Sequence, residues 1–215
     1  MLSFEELARR VVIRTGNRLD IVRAKTCLRN TLNELWQSHQ WSCRFAESVL
    51  ATDAPKSTGT LASTATTTVL QGTGTAFATG DIGKKLRVAN EHAYYTIEAV
   101  DASVQQLRLA TAYVGGPLSG AVYQVFKSIY TLPADVDHIV SMAHWFKLGE
   151  AFIPGTDRVD GRRSLDASHP EVFVYRGEDA LGQVLIELWP VPAGAIGIPY
   201  VYVKRLPTWT DALVV

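Results

Sequence analysis

The sequence predicts an α+β protein: an N-terminal helical hairpin, an inserted small antiparallel β-barrel or sandwich module, and a C-terminal β-hairpin region. Three observations predict it. Apolar residues recur at steps of three and four from Phe4 to Trp36, the period of an amphipathic helix. Between residues 66 and 127, short alternating runs follow one another at about ten-residue spacing, separated by Gly-containing turns. Two long β-rich runs, "QVLIELWPVP" and "GIPYVYVKRL", flank the short link "AGAIG". The expected organisation is an adaptor-like core of residues 1–54 and 128–215, with the β-module at 55–127 set into it.

The first helix opens on a Ser3-x-x-Glu6 capping box and carries Phe4, Leu7, Ala8, Val11 and Val12 on one face, with Gly16 placed to end it. Arg9, Arg10 and Arg14 lie on or beside the opposite face. A second helix from about Asp20 to His39 has Asp20 as cap and Ile21, Ala24, Leu28, Leu32, Leu35 and Trp36 as its apolar stripe. Arg18, Arg23, Lys25 and Arg29 mark its exposed side, and Trp36 and Trp41 read as core. "CRFAESVL" alternates like a strand, and the Ser/Thr/Ala-rich "ATDAPKSTGTLASTA" reads as a linker.

Inside the β-module, "TTTVL", "KKLRVA", "YYTIEAV", "QQLRLAT" and "VYQVF" are the expected strands. Tyr95, Ile97 and Ala99 share a face in the third, and Leu107 and Leu109 alternate with Arg108 in the fourth. After Leu132-Pro133, "HIVSMAHWF" suits either a buried strand or a short helix, and Ser164 and Asp166 are candidate caps of a short helical turn.

Composition excludes several classes. The 215 residues carry 21 basic and 21 acidic side chains, so the strong basic surplus of a dedicated nucleic-acid binder is missing. The charge is unevenly spread: residues 1–50 hold eight Lys/Arg against five Asp/Glu, and residues 128–215 hold seven against eleven. Such polarity suits contact between unlike faces. No apolar run reaches the length of a membrane span, and "MLSFEELARR" lacks a secretory h-region. Cys27 and Cys43 fit no metal spacing and read as reduced, mostly buried thiols.

The motifs that invite chemistry fail in detail. "GTGTAFATGDIGKK" would need Gly at Ala78 and Ser or Thr at Lys85 to be a phosphate loop, and Gly at Phe77 to be a dinucleotide fingerprint. Its strand–turn–strand context offers no helix N-terminus for phosphate. His39, His92, His138, His144 and His169 show no ligand spacing of three or four, and no Gly-x-Ser-x-Gly elbow or Cys–His arrangement occurs. No cofactor and no catalytic residue is expected. Lys84, Lys85 and Arg87 form the densest basic run, which can face a DNA backbone or serve as a solvated strand face.

Taken in order, "LWQSHQWSCRF", "VLQGTGTAFATGDIGKKLRVANEHAYYTIEAV", the return "YTLPADVDHI" and the closing "VLIELWPVPAGAIGIPYVYVKRLP" resemble the head-to-tail adaptor (connector) proteins of tailed bacteriophages, the group that includes tail tubular protein A. The resemblance spans nearly the whole chain. Where some relatives continue into a C-terminal arm, this sequence stops soon after "RLPTWTDALVV". It implies a non-enzymatic virion protein, made in the host cytoplasm and located in the neck. The chain would form a twelve-fold ring under the portal protein, extend the channel for genomic DNA, and receive a downstream tail or neck protein. Arg10, Arg14 and Arg18 are the expected contacts to the portal or a neighbouring subunit. The apolar end, with Trp209, Leu213, Val214 and Val215, has no core left to join and is the expected contact to a partner ring. Lys84, Lys85 and Arg87 are the residues expected toward the channel. A rival expectation is a carbohydrate-binding or tail-spike-associated module, with Tyr94, Tyr95 and Tyr113 as stacking platforms.

Overall fold

The computed structural model describes residues 3–39, 41–88, 91, 93–143, 147–150 and 169–206. They form an α+β protein of two helices and mostly antiparallel sheet. The chain divides into two compact units. One comprises Met1–Glu47, Asp135–Val140 and Val201–Val215, the other Ser48–Ala134 and Ser141–Tyr200.

Helices α1 (Phe4–Arg14) and α2 (Ile21–Ser38) belong to the first unit and pack on each other. Ser3 Oγ accepts from Glu6 N at 3.1 Å and Asp20 Oδ1 from Arg23 N at 2.8 Å, so each helix has the cap its sequence announced. α1 ends where Gly16 and Asn17 take positive φ values of 66° and 59°. Burial departs from the expected stripes. α1 buries Phe4 and Ala8, but α2 fully buries only Ala24, with Ile21 36% and Leu35 50% exposed.

Trp41 is not core either, being 43% exposed. Its indole N–H instead donates to Leu35 O at 2.7 Å, while Arg44 Nη1 donates to Trp36 O at 2.9 Å and His39 O at 3.3 Å. The last carbonyls of α2 thus gain donors and a cation from the residues that follow the helix. Cys27 and Cys43 are free but exposed, which corrects the expectation of buried thiols.

Strands β1 (Phe45–Ala51), β10 (Val136–Met142) and β14 (Gly197–Lys204) form a three-stranded sheet with β14 in the centre. At its start, Arg205 Nε donates to Val136 O at 2.7 Å and Tyr202 OH to Asp135 Oδ2 at 2.9 Å. The segment "HIVSMAHWF", open between strand and helix, is strand through Met142.

A seven-stranded antiparallel sheet lies within the second unit. Its strands are β2 (Thr60–Ser63), β3 (Val69–Thr73), β4 (Lys85–Val88), β5 (Tyr94–Asp101), β6 (Gln106–Leu109), β7 (Leu118–Ala121) and β8 (Tyr123–Phe126), in the order β7-β2-β3-β6-β5-β4-β8. A bridge between Lys56 and Val125 ties β8 to the chain just ahead of β2, so the sheet curls into a half-barrel. Alternation does the packing: Leu61, Leu70, Leu86, Ile97, Leu107 and Leu109 all point into one core, each at most 1% exposed. Arg108, on the outer face between the two leucines, pairs with Glu98 at 2.9 Å. A register shift between Ile97 and Ala99 takes Ala99 out of the line it was expected to share with Tyr95.

The remaining sheet, also in the second unit, joins β9 (Ile129–Thr131), β11 (Gly149–Glu150), β12 (Val172–Glu178) and β13 (Val184–Trp189) in the order β11-β12-β13-β9. Only β11 and β12 run parallel. This overturns the expected C-terminal β-hairpin. β13 pairs with β12 and β9, whereas β14 pairs with β1 and β10. The link between them carries Pro190 and Pro192, which lack the N–H a ladder needs. It is held elsewhere: Thr52 N donates to Ile196 O at 2.9 Å, and Thr52 Oγ1 donates to Gly194 O at 3.0 Å.

Candidate functional site

Two places carry the charged residues singled out from the sequence: the outer surface of the helices and the turn ahead of β4. On α1, Arg9 and Glu5 pair at 2.8 Å and Arg10 and Glu6 at 3.6 Å, one turn apart. Both pairs stand in solvent, where such contacts stabilise little. The Glu5 carboxylate, first by its hydrogen bond and then by its charge, raises the pKa of Arg9. Arg14 sits in the last turn of α1, where a cation complements the helix dipole, and Arg18 follows in the exposed link. Among the described residues neither forms an ion pair. Ile13 stands between these arginines with 71% of its surface exposed. Arg10 and Arg14, one turn apart on α1, and Arg18 in the link that follows are all exposed.

Lys84, Lys85 and Arg87 do not act as one face. Lys84 Nζ lies 3.2 Å from Asp81 Oδ1 and 3.3 Å from Asp53 Oδ2, and its side chain is only 16% exposed. Lys85 Nζ donates to Thr96 Oγ1 across the β4–β5 pairing at 2.7 Å. Arg87 is half-buried opposite Tyr94 and Gln124. The basic run is therefore largely committed to neighbours within the half-barrel.

Asp81, unremarked in the sequence, organises this cluster. It sits in a single 3-10 turn, Thr79–Asp81, with 1% of its surface exposed. Lys56 Nζ reaches Asp81 Oδ2 at 2.7 Å, and Ala78 N donates to the same oxygen at 3.0 Å. Burial pushes the Asp81 pKa up and is the largest single influence. The hydrogen bonds from Lys56, Ala78 N–H and Lys84 together outweigh it and hold the carboxyl below its ordinary range. Lys84, three residues on, was the only local signal of this cluster. Lys56 lies 25 residues away and gave none.

Tyr95 and Tyr113 are 5% and 1% exposed and belong to the half-barrel core, so neither ring can stack on a sugar. Tyr113 OH donates to Glu91 Oε1, and burial first, then this carboxylate, drives the phenol pKa far up. Tyr94 is half-buried and stacks on Trp189 at 6.0 Å between ring centroids. Of the three stacking platforms expected for a carbohydrate module, two are thus interior and the third is half-buried against Trp189.

His138 Nδ1 contacts Asp137 Oδ2 at 2.9 Å, both side chains exposed on β10. Among the described residues, no three His, Cys, Asp or Glu side chains gather as metal ligands, and no helix is long and apolar enough to cross a membrane. Trp209, Leu213, Val214 and Val215, the caps Ser164 and Asp166, and His92 and His144 lie outside the described residues. No protein-family model, no curated protein and no solved structure matches the chain.

Proposed function

We propose that this chain is a head-to-tail adaptor of a tailed bacteriophage. A ring of its copies, twelve-fold as in the family it resembles, docks under the portal, extends the channel through which genomic DNA passes, and receives the next tail or neck protein. In this reading the two helices form a hairpin that makes the docking contacts. The half-barrel is a module inserted at 55–127 into a core of 1–54 and 128–215, and the segment with Trp209, Leu213, Val214 and Val215 contacts a partner ring.

The main support is the outer surface of the helices. An 18-residue helix that fully buries only Ala24, beside one whose outer side carries Arg9, Arg10, Ile13 and Arg14, has surface to give to a partner. The order of sequence motifs is the second support.

The double variant Arg10→Glu, Arg14→Glu tests it. Each site is exposed, so the fold should be unchanged by circular dichroism. Capture by the purified portal ring should weaken, and the loss should shrink as salt rises, because exposed charges are screened within about 8–10 Å at 0.10–0.15 M salt. Undiminished capture at low salt would contradict the assignment of these residues.

A further inference from the structure

Exposed β-branched residues flank the link between α1 and α2, residues 15–20. Ile13 is 71% exposed, Val22 69% and Ile21 36%. One such side chain in water is ordinary, but here apolar surface gathers around a single short link. The same link carries cations whose charge is unanswered. Arg14 closes α1 and Arg18 stands in the link, both exposed, and among the described residues neither forms an ion pair. The acid beside them is committed: Asp20 Oδ1 accepts from Arg23 N at 2.8 Å, and its Oδ2 lies 3.6 Å from Arg23 Nε. Glu5 and Glu6 pair with Arg9 and Arg10 further back along α1. The link is also held by its own bonds. Thr15 N donates to Val11 O, Gly16 N to Ile13 O and Asn17 N to Val12 O, each at 3.0 Å, and Thr15 Oγ1 donates to Val12 O at 2.9 Å.

We propose that this corner enters an apolar recess rimmed by carboxylates on the portal ring, with Ile13, Ile21 and Val22 in the recess and Arg14 and Arg18 on its rim. This rests on the adaptor reading and narrows it: the α1–α2 corner carries the docking, and the far end of α2 does not. Charge selects the occupant, because unpaired guanidinium groups call for acids. Apolar surface inside a polar rim is the usual anatomy of a protein interface. A nucleic-acid backbone would answer the arginines and leave the apolar side chains in water. A link already fixed in one conformation loses little entropy on binding.

Capture of the full-length chain by the purified portal ring, read as Kd at low and at high salt, tests it. Ile13→Ser and Val22→Ser should each weaken capture about tenfold at either salt, as expected for losing most of one buried apolar side chain. The double variant Arg14→Glu, Arg18→Glu should weaken it at low salt, with the loss shrinking as salt rises. Leu35→Ser is the control. Leu35 is 50% exposed but lies about 20 Å along α2 from Val22, so capture should be unchanged. All these sites are exposed, and each variant should keep the wild-type circular dichroism and melting temperature. Equal losses in Leu35→Ser and Val22→Ser would overturn the corner as the docking element. Wild-type capture that neither Ile13→Ser nor Val22→Ser diminishes would overturn this contact and leave the adaptor reading standing. Self-association of the free chain, or binding to vesicles of anionic lipid, that these variants remove while portal capture persists would overturn it too. A wild-type chain that the portal does not capture would remove the adaptor reading and this contact with it.

Discussion

Gly59→Ala is expected to destabilise the half-barrel by about 3–5 kcal/mol, a large share of the roughly 5–15 kcal/mol that holds a typical domain. Gly59 has φ +88°, and a Cβ built there would lie 2.5 Å from Thr73 O and 2.6 Å from Gly74 C and O. Those atoms are backbone and cannot rotate aside. They belong to the close approach that lets Thr60, the first residue of β2, pair with Thr73, the last of β3. Backbone strain and overpacking therefore act together at one site. Gly80→Ala is the control, because no atom lies within 4 Å of the added methyl. Urea unfolding should show a sharply lower midpoint for Gly59→Ala and little change for Gly80→Ala. Equal midpoints would refute this description of the close approach between the start of β2 and the end of β3.

Asp81→Ala is expected to cost about 3 kcal/mol, at the low end for breaking a buried ion pair by removing one partner. The low end applies because Lys56 is 38% exposed and can turn its ammonium to water, while Lys84, at 16%, cannot do so easily. Lys84 keeps Asp53 at 3.3 Å, which limits the loss further. The pH dependence has a definite sign. The folded Asp81 pKa lies below its unfolded value, so its contribution is fully present above about pH 4 and is lost as pH falls through the folded pKa. Stability of the wild-type chain should therefore fall more steeply in acid than that of Asp81→Ala, and the difference between them should narrow. Parallel curves from neutral pH into acid would refute the role given to this carboxylate.

Local patterns were legible in the sequence, and pairings between distant segments were not. Caps at Ser3 and Asp20, the Gly16 stop, and the alternation at Leu107 and Leu109 depend on neighbours within a few residues, and each appears as read. The β13–β14 pairing was misread because a short link between two β-runs suggests a hairpin. Which strand each run joins was decided by partners such as Thr52, 142 residues from Gly194. Periodicity identified the stripe on α2, yet it could not say how much of that stripe the chain itself covers. Trp41 looked like core because it is large and apolar, while its indole N–H had a better use at the end of the helix. The basic run at Lys84, Lys85 and Arg87 was read as surface because its counter-charges, Asp53 and Asp81, are apparent only once the chain is folded. The surface around Arg10, Arg14 and Arg18 was legible, since it is a matter of one short stretch of chain.

Sedimentation velocity of the purified chain, alone and mixed with the portal ring, tests the adaptor proposal most directly. The expected result is a portal boundary that moves faster by the mass of a full ring of added chains, whatever the free chain does by itself. A portal boundary that stays in place, with this chain sedimenting as a monomer beside it, would contradict the proposal.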